Sequence, residues 1–210
     1  MRYFFNIIIL LFVFGIVSSQ TNNGVFTQYF YPDGQLSSEG ILKNGIPDGY
    51  WVSYYPTGVI KSEGIRKNQL LDSTWTFYNS LGELNQKINY LTGKKNGYSY
   101  SYSYNYNSNP IVVSQELYLN DKKEGKSFYY YDNGSIKEEV YYKLGKKDGE
   151  AKEFDSNGQL ITVLQYRNNQ LIAREKVNRK DADGKRQGLW KEYYENGRLY
   201  KEINYSDNEI

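Results

Sequence analysis

The chain has 210 residues, of which 24 are tyrosine and 19 glycine, with no cysteine and no histidine. Its 26 basic and 24 acidic residues are interspersed, which excludes the concentrated positive charge of a nucleic-acid-binding surface. The lack of cysteine and histidine excludes disulfide frameworks and thiolate or imidazole metal sites. A chain so rich in tyrosine favours thin, half-exposed β structure over a thick aliphatic core.

The first segment, residues 1–19, differs in composition from the rest of the chain. Arg2 precedes an apolar run, and Val17 and Ser19 suit the small-residue positions of a cleavage site. The run is short for a bilayer span, so the pattern predicts a secretory signal peptide, with an uncleaved membrane anchor as the alternative. We therefore expect residues 20–210 to be exported to the periplasm, the cell surface or the medium, and not to span a membrane.

Glycines recur with a fixed period along the rest of the chain. Gly34, Gly58 and Gly82 are spaced by 24 residues, and so are Gly134 and Gly158. A period of this length indicates stacked supersecondary units. The predicted turn glycines are Gly34, Gly58, Gly82, Gly134, Gly158 and Gly197. The predicted units are 26–49, 50–73, 74–97, 98–125, 126–149, 150–173 and 184–207.

Each unit has the pattern of a β-hairpin. Turns such as PDG and DNG begin with Pro or Asp and end with a Gly that accepts a positive φ. The second strand alternates with period two, which predicts that Leu160, Thr162, Leu164 and Tyr166 share one face. One hairpin cannot bury its apolar face alone, so we expect an all-β, elongated single sheet of stacked antiparallel hairpins. The aromatics expected to stack in one shared seam are Trp51, Tyr54, Trp75, Tyr78, Tyr130, Trp190 and Tyr193.

The fourth unit contains the segment YSYSYSYNY, which is a row of tyrosines with small polar neighbours. Strand alternation predicts that one face carries Tyr98, Tyr100, Tyr102, Tyr104 and Tyr106. Rigid, amphipathic tyrosines beside serines are typical of binding surfaces. This row is the candidate binding surface, and the alternative is that it only continues the ring stack.

Recurrent acidic and basic positions raise the question of catalysis. Glu39, Glu63, Glu139 and Glu202 occupy equivalent places after the turn glycines, whereas glycoside hydrolysis needs two carboxylates in unlike environments. We expect these carboxylates to be cross-strand partners of Lys or Arg. The GKKNG and GKKDG segments lack the phosphate-binding pattern, and their lysines are expected to be solvated loop residues. The sequence thus predicts no catalytic residue, no cofactor and no metal.

The segment GLWKEYYENGRLYKEINY, from Gly188 to Tyr205, resembles the MORN-repeat variant family, whose pattern runs roughly G-x-W-x-x-Y-Y-x-x-G-x-L-x-x-E-x-x-Y-x-x-G-K-x-x-G. Gly49 to Ile65 and Gly125 to Gly149 are similar to it as well. The resemblance departs at residues 98–110 and 174–183. It implies a sheet of stacked hairpins that serves as an interaction surface and has no catalytic residues. Bacterial members are often labelled antitoxins of the YwqK type, which implies a toxin as the partner.

Two classes of function follow from these patterns. The first is an exported, non-enzymatic repeat protein that binds another protein at the cell envelope, with toxin neutralisation as its narrower form. The second is a cell-wall or glucan-binding module, because aromatic hairpin repeats also resemble choline- and glucan-binding repeats. The 24-residue period and the lysine-rich GKKxG segments favour the first class. The sequence leaves open which face of the sheet binds and which protein is the partner.

Overall fold

The computed structural model describes residues 20–21, 24–104, 107–196 and 198–210. The predicted signal peptide at 1–19 lies outside the described residues, as do Tyr106 and Gly197. All the regular structure of the described residues is β-strand, so they contain no helix that could cross a membrane.

The first nine strands are β1 (Gln20–Thr21), β2 (Gly24–Phe30), β3 (Leu36–Lys43), β4 (Ile46–Tyr54), β5 (Ile60–Lys67), β6 (Leu70–Tyr78), β7 (Leu84–Leu91), β8 (Lys94–Tyr104) and β9 (Pro110–Leu119). The remaining strands are β10 (Lys122–Lys123), β11 (Gly125–Tyr130), β12 (Ile136–Lys143), β13 (Lys146–Phe154), β14 (Leu160–Arg167), β15 (Gln170–Lys176), β16 (Arg179–Lys180), β17 (Arg186–Tyr193) and β18 (Leu199–Tyr205).

Strands β1 to β9 and β11 to β15 form one antiparallel sheet in which each strand pairs with its neighbours in the chain, and β10 adds to β9. Six hairpins succeed one another in it: β2–β3, β4–β5, β6–β7, β8–β9, β11–β12 and β13–β14, and all of them except β8–β9 close with a glycine turn. The predicted all-β class and elongated sheet of stacked hairpins are therefore confirmed. At about 4.8 Å per strand, the ladder is roughly 65 Å long.

Two kinds of turn alternate along the sheet, one at each long edge. At one edge the turn glycine donates its N–H to the residue three positions earlier, as Gly34 does to the Tyr31 carbonyl at 2.9 Å. Gly34, Gly58, Gly82, Gly134 and Gly158 occupy this position with φ between 82° and 87°. At the other edge are two-residue turns with positive φ at both residues, such as Asn44 (50°) and Gly45 (79°). These are type I′ turns, whose twist matches that of the flanking strands.

Tyrosine hydroxyls join successive hairpins at the glycine-turn edge. Tyr31 Oη donates to the Tyr54 carbonyl at 2.7 Å, and Tyr55 Oη donates to the Tyr78 carbonyl at 2.9 Å. Tyr131 makes the same bond in a later hairpin, to the carbonyl of Phe154 at 2.8 Å. The donor and acceptor are 23 residues apart in all three cases, so these bonds fix the register of one repeat against the next.

A β-bulge lies near the turn in each of the six hairpins, and in the five that have a glycine turn it lies just before that turn. In β13–β14, Glu153 pairs with Thr162 but Phe154 pairs with Leu160, which leaves Ile161 as the extra residue. A bulge of this kind moves the residues beyond it to the other face. Leu160 therefore packs in a different cluster from Leu164. The prediction that these two leucines share a face is wrong, because period-two counting ignores the extra residue.

The aromatics of each first strand divide between the two faces of the sheet. Trp51 and Tyr54 are three residues apart in β4, so alternation directs them to opposite sides. We call the side of Trp51 and Trp75 the tryptophan face and the side of Tyr54, Tyr78 and Tyr130 the tyrosine face. Trp190 and Tyr193 lie in β17, which belongs to a separate sheet. The structure thus has two aromatic rows where the sequence analysis expected one seam.

On the tryptophan face, each large ring lies over a glycine of the preceding hairpin. Trp75 is only 2% exposed, and a Cβ on Gly64 would lie 2.6 Å from its ring. A Cβ on Gly40 would lie 2.1 Å from the ring of Trp51. The Arg66 guanidinium is 6.0 Å and 5.3 Å from the Trp51 and Trp75 ring centres. Burial on this single layer therefore comes from large side chains packed on small ones.

After β15 the chain leaves the large sheet. Asn178 has a φ of 55° and a side chain that pairs with the backbone of β17. Its Oδ1 accepts from Lys191 N at 2.7 Å, and its Nδ2 donates to Lys191 O at 3.1 Å. Strands β16, β17 and β18 consequently form a separate three-stranded sheet. In this one respect the structure differs from a single continuous sheet.

The turn between β16 and β17 repeats the glycine-turn chemistry inside the predicted insertion. Gly184 donates its N–H to the Asp181 carbonyl at 3.1 Å, as Gly158 does to that of Asp155 at 3.0 Å. The sequence DADG at this turn, residues 181–184, is similar to DSNG at the turn of residues 155–158. Sequence analysis missed this turn because it lies outside the 24-residue period.

Replacing Leu144 by Asn is expected to stabilise the sheet. Leu144 is 65% exposed and occupies the first position of a type I′ turn with φ 52°, a conformation that suits Asn far better than Leu. The gain in the free energy of unfolding should be about 1 kcal/mol by urea unfolding. Leu91→Asn is the matched control, since Leu91 is also exposed but ends a strand. Equal effects of the two substitutions would contradict this account.

Gly64→Ala is expected to destabilise the protein by about 1–3 kcal/mol, because the new methyl group overlaps the Trp75 ring. A double-mutant cycle with Trp75→Leu isolates the contact. In the Trp75→Leu background, Gly64→Ala should cost much less in thermal or urea unfolding. An unchanged cost would mean that the ring is not what excludes a side chain at this position.

Candidate protein-interaction surface

The tyrosine row of β8 lies on the tyrosine face. Tyr98, Tyr100, Tyr102 and Tyr104 alternate with serines, and Ser99 is buried on the tryptophan face. Tyr98 is 42% exposed, and its ring centroid lies 6.2 Å from that of Tyr100 at an interplanar angle of 37°. These four tyrosines therefore form a tilted, half-exposed row.

The neighbouring hairpins continue this row on the same face. Next to the bulge of each hairpin, an aromatic residue of the first strand pairs with an aliphatic residue of the second. These pairs, which we call the aromatic stripe, are Phe30–Leu36, Tyr54–Ile60, Tyr78–Leu84, Tyr102–Val112, Tyr130–Ile136 and Phe154–Leu160. The stripe crosses all six hairpins of the large sheet. The sequence pattern predicted a binding role only for Tyr102 of this stripe and placed Tyr54, Tyr78 and Tyr130 in the stacking seam, because the bulge is needed to bring each aliphatic residue onto this face.

Carboxylates hold several tyrosine hydroxyls on the tyrosine face. Glu63 accepts hydrogen bonds from Tyr50 and from Tyr78, the latter at 2.7 Å. Glu39 accepts from Tyr54 at 2.7 Å. These two acids were expected to pair with Lys or Arg, but their partners are tyrosines. The bonds fix the orientation of the rings and leave their faces free.

The other two equivalent carboxylates do pair with lysine. Glu139 lies 2.6 Å from Lys126 Nζ, and Glu202 lies 3.5 Å from Lys191 Nζ. Lys191 and Glu202 are directly paired across strands, and Lys126 and Glu139 are diagonal neighbours. One member of each pair is about half-exposed, so solvent screening limits each ion pair to about 0–1 kcal/mol. Among the described residues, no group of three or more His, Cys, Asp or Glu is placed to hold a metal ion.

The hydroxyls that donate to carboxylates on the tyrosine face are difficult to ionise. The hydrogen bond to Glu63 raises the pKa of Tyr50 to about 12. Burial, with the bond to Glu39, raises the pKa of Tyr54 to about 12, and burial with the bond to Glu63 does the same for Tyr78. A carboxylate favours the protonated phenol because a phenolate would place two negative charges side by side. At neutral pH these side chains are therefore uncharged donors with fixed rings.

The second lysine of each GKKxG segment, and Lys123 of the similar DKKEG segment, lie on the tryptophan face. Lys95 Nζ is 5.0 Å from the ring centre of Tyr118, Lys123 is 5.0 Å from Tyr142, and Lys147 is 5.0 Å from Tyr166. Each is a cation–π contact that recurs from one hairpin to the next. The prediction of solvated loop residues is wrong for Lys95 and Lys147, whereas the first lysines of these segments, Lys94 and Lys146, are exposed. The recurrence of Lys and Tyr at a constant offset in the repeats could have indicated the contact.

Glu63→Gln is expected to lower the pKa of Tyr78 and Tyr50 by removing the negative charge beside each phenol. In the native protein these groups titrate at about 12, above the usual 10.0. A raised folded-state pKa contributes stability that is complete below pH 10 and lost as the pH rises towards 12. Ultraviolet absorbance of tyrosinate follows the titration. Glu139→Gln is the control, because Glu139 pairs with a lysine, and identical titration curves for the two variants would contradict the assignment.

Five segments of the chain match the family model described as MORN repeat variant: residues 27–44, 47–68, 123–144, 147–168 and 186–207. They correspond to hairpins β2–β3, β4–β5, β11–β12, β13–β14 and β17–β18 and together cover half of the chain. No curated protein matches the chain. MORN repeats are in general non-catalytic modules that bind proteins or membranes. Because the matched segments cover half of the chain and fold as hairpins, this chain belongs to the MORN repeat variant family.

Proposed function

We propose that this chain is an exported, non-enzymatic interaction module that binds another protein at the cell envelope through its tyrosine face. The observation that carries the proposal is the aromatic stripe, which continues across successive hairpins with its rings half-exposed. Interfaces between proteins are enriched in aromatic residues, and tyrosine adds contact area at a low cost in conformational entropy. The bonds of Tyr54 to Glu39 and of Tyr78 to Glu63 lower that cost further, since the rings are already fixed.

Export is the part of the proposal supported by the sequence pattern of residues 1–19. A narrower form makes the partner a toxin, as the antitoxin label of YwqK-type relatives implies. In that form the toxin must act outside the cytosol, because the exported module would also be located outside the cytosol. A gene for a secreted toxin beside the gene for this chain would support the narrower form.

A cell-wall or glucan ligand is the second candidate function. Exposed rings such as those of Tyr50 and Tyr98 offer flat apolar surfaces on which sugar rings can stack. The two candidates differ in the material that retains the protein. Insoluble peptidoglycan or glucan retains a glycan-binding module, whereas a module specific for proteins stays in solution.

Affinity capture from envelope extract tests the leading proposal. The whole chain is expected to retain a protein partner in fixed ratio, and the double substitution Tyr98→Ser with Tyr100→Ser should reduce capture by about tenfold or more. The control replaces Tyr194 and Tyr200 by Ser, another exposed tyrosine pair, with ring centroids 4.9 Å apart but located in the last hairpin. Equal capture by both variants, or retention by purified peptidoglycan alone, would reject the proposal.

A further inference from the structure

One part of the tyrosine face already has an occupant, which is the last hairpin of the chain. Leu189 and Tyr193 of β17 pack against a cluster formed by Leu160, Val163 and Val177, with Phe154 beside it. Leu160 and Val163 are each 8% exposed. The equivalent stripe residues of the preceding hairpins, such as Ile136, are only half-buried. The contact therefore covers a surface that is open elsewhere on the same face.

Electrostatic contacts orient the hairpin on that surface. Lys152 Nζ of the sheet lies 4.3 Å from the ring centre of Tyr193. Lys191 Nζ of β17 lies 2.6 Å from a carboxylate oxygen of Glu175. Leu189, Lys191 and Tyr193 alternate along β17, so the strand presents an aliphatic, a cationic and an aromatic side chain to the sheet. The strand lies flat over the face and does not add to the edge of the large sheet.

The surface beneath β17 recurs along the sheet. Phe154–Leu160 is one member of the aromatic stripe, and the five other members carry an aromatic and an aliphatic residue at the same register. Successive members are about 10 Å apart, because each hairpin contributes two strands at about 4.8 Å. Glu39 and Glu63 lie near the stripe on the same face. Each can accept a cationic side chain of a bound strand, as Glu175 accepts Lys191 at the end of the stripe.

Building on the proposed function, we propose that the protein partner binds as a β-strand or hairpin with an aliphatic, a cationic and an aromatic residue at alternate positions. It lies flat on the uncovered stripe as β17 lies on Phe154 and Leu160. A second β layer packs on a sheet at about 10 Å with its strands nearly aligned, which is the ordinary way to cover an apolar sheet face. The last hairpin is thus an internal example of the ligand.

A cyclised, dye-labelled peptide with the sequence of Arg186 to Tyr205 is the probe. Fluorescence anisotropy should show saturable binding to the whole chain. A peptide of the same length and turn with Leu189→Ser and Tyr193→Ser should bind about tenfold or more weakly. In the whole chain, Ile60→Glu with Ile136→Glu should weaken binding, whereas Leu119→Glu, at an exposed strand end outside the stripe, should not. No binding, or equal binding of the two peptides, would overturn the proposal.

A second measurement does not depend on how well the variants fold. With a photoreactive group in place of Tyr193, the peptide should cross-link the unaltered chain at stripe residues such as Ile60 and Ile136. Cross-links to the tryptophan face or to the β15 edge would overturn the proposal. A stable dimer in light scattering would also overturn the proposal if the double substitution Ile60→Glu with Ile136→Glu converted it to monomer. The occupant of the stripe would then be a second copy of the chain. Partner capture that depends on Tyr98 and Tyr100, without peptide binding, would reject this inference and leave the proposed function standing.

Discussion

The close approach of tryptophan rings to the backbone of the preceding hairpin is the constraint on which this structure depends. A single-layer sheet has no second layer to bury its side chains, so burial must come from neighbouring strands. Trp75 over Gly64 and Trp51 over Gly40 achieve it by setting a large side chain on a residue with none. Such contact is sensitive to register, because a slip of one residue would turn the ring to the other face. The packing of each tryptophan therefore requires one strand register, and that register in turn brings the tryptophan over its glycine.

Because the tryptophan face holds the sheet together, the tyrosine face is free for another purpose. Its rings are half-exposed, yet they are held in place by hydroxyl bonds to Glu39 and Glu63 and by their fixed strand positions. An apolar surface that is rigid before it binds loses little conformational entropy on binding. The equivalent acids differ in their partners: Glu39 and Glu63 accept hydrogen bonds from tyrosines, whereas Glu139 and Glu202 pair with lysines.

The 24-residue period and its glycines were sufficient to predict hairpins, strand order and fold class, because turn chemistry is local. Strand alternation alone already places Trp51 and Tyr54 on opposite faces. The face of the aliphatic residue after each turn was not predictable in the same way. It depends on a bulge residue such as Ile161, which nothing in the pattern distinguishes from its neighbours. The departure of the last hairpin depends on Asn178, one residue in the left-handed region whose side chain bonds to a strand distant in the chain. Both features arise from tertiary contacts.

The end of the large sheet indicates how this fold can accept an additional layer. All residues of β15 are exposed, and Arg174, Glu175 and Lys176 place charges along it, which discourages another strand from extending the ladder. A repeat array also needs a cap, since its last unit has no neighbour to cover it. The chain meets both requirements by turning at Asn178 and laying its last hairpin over Phe154 and the residues around it. Covering the tyrosine face is thus an arrangement that the sheet already uses, whereas growth at its charged edge is opposed.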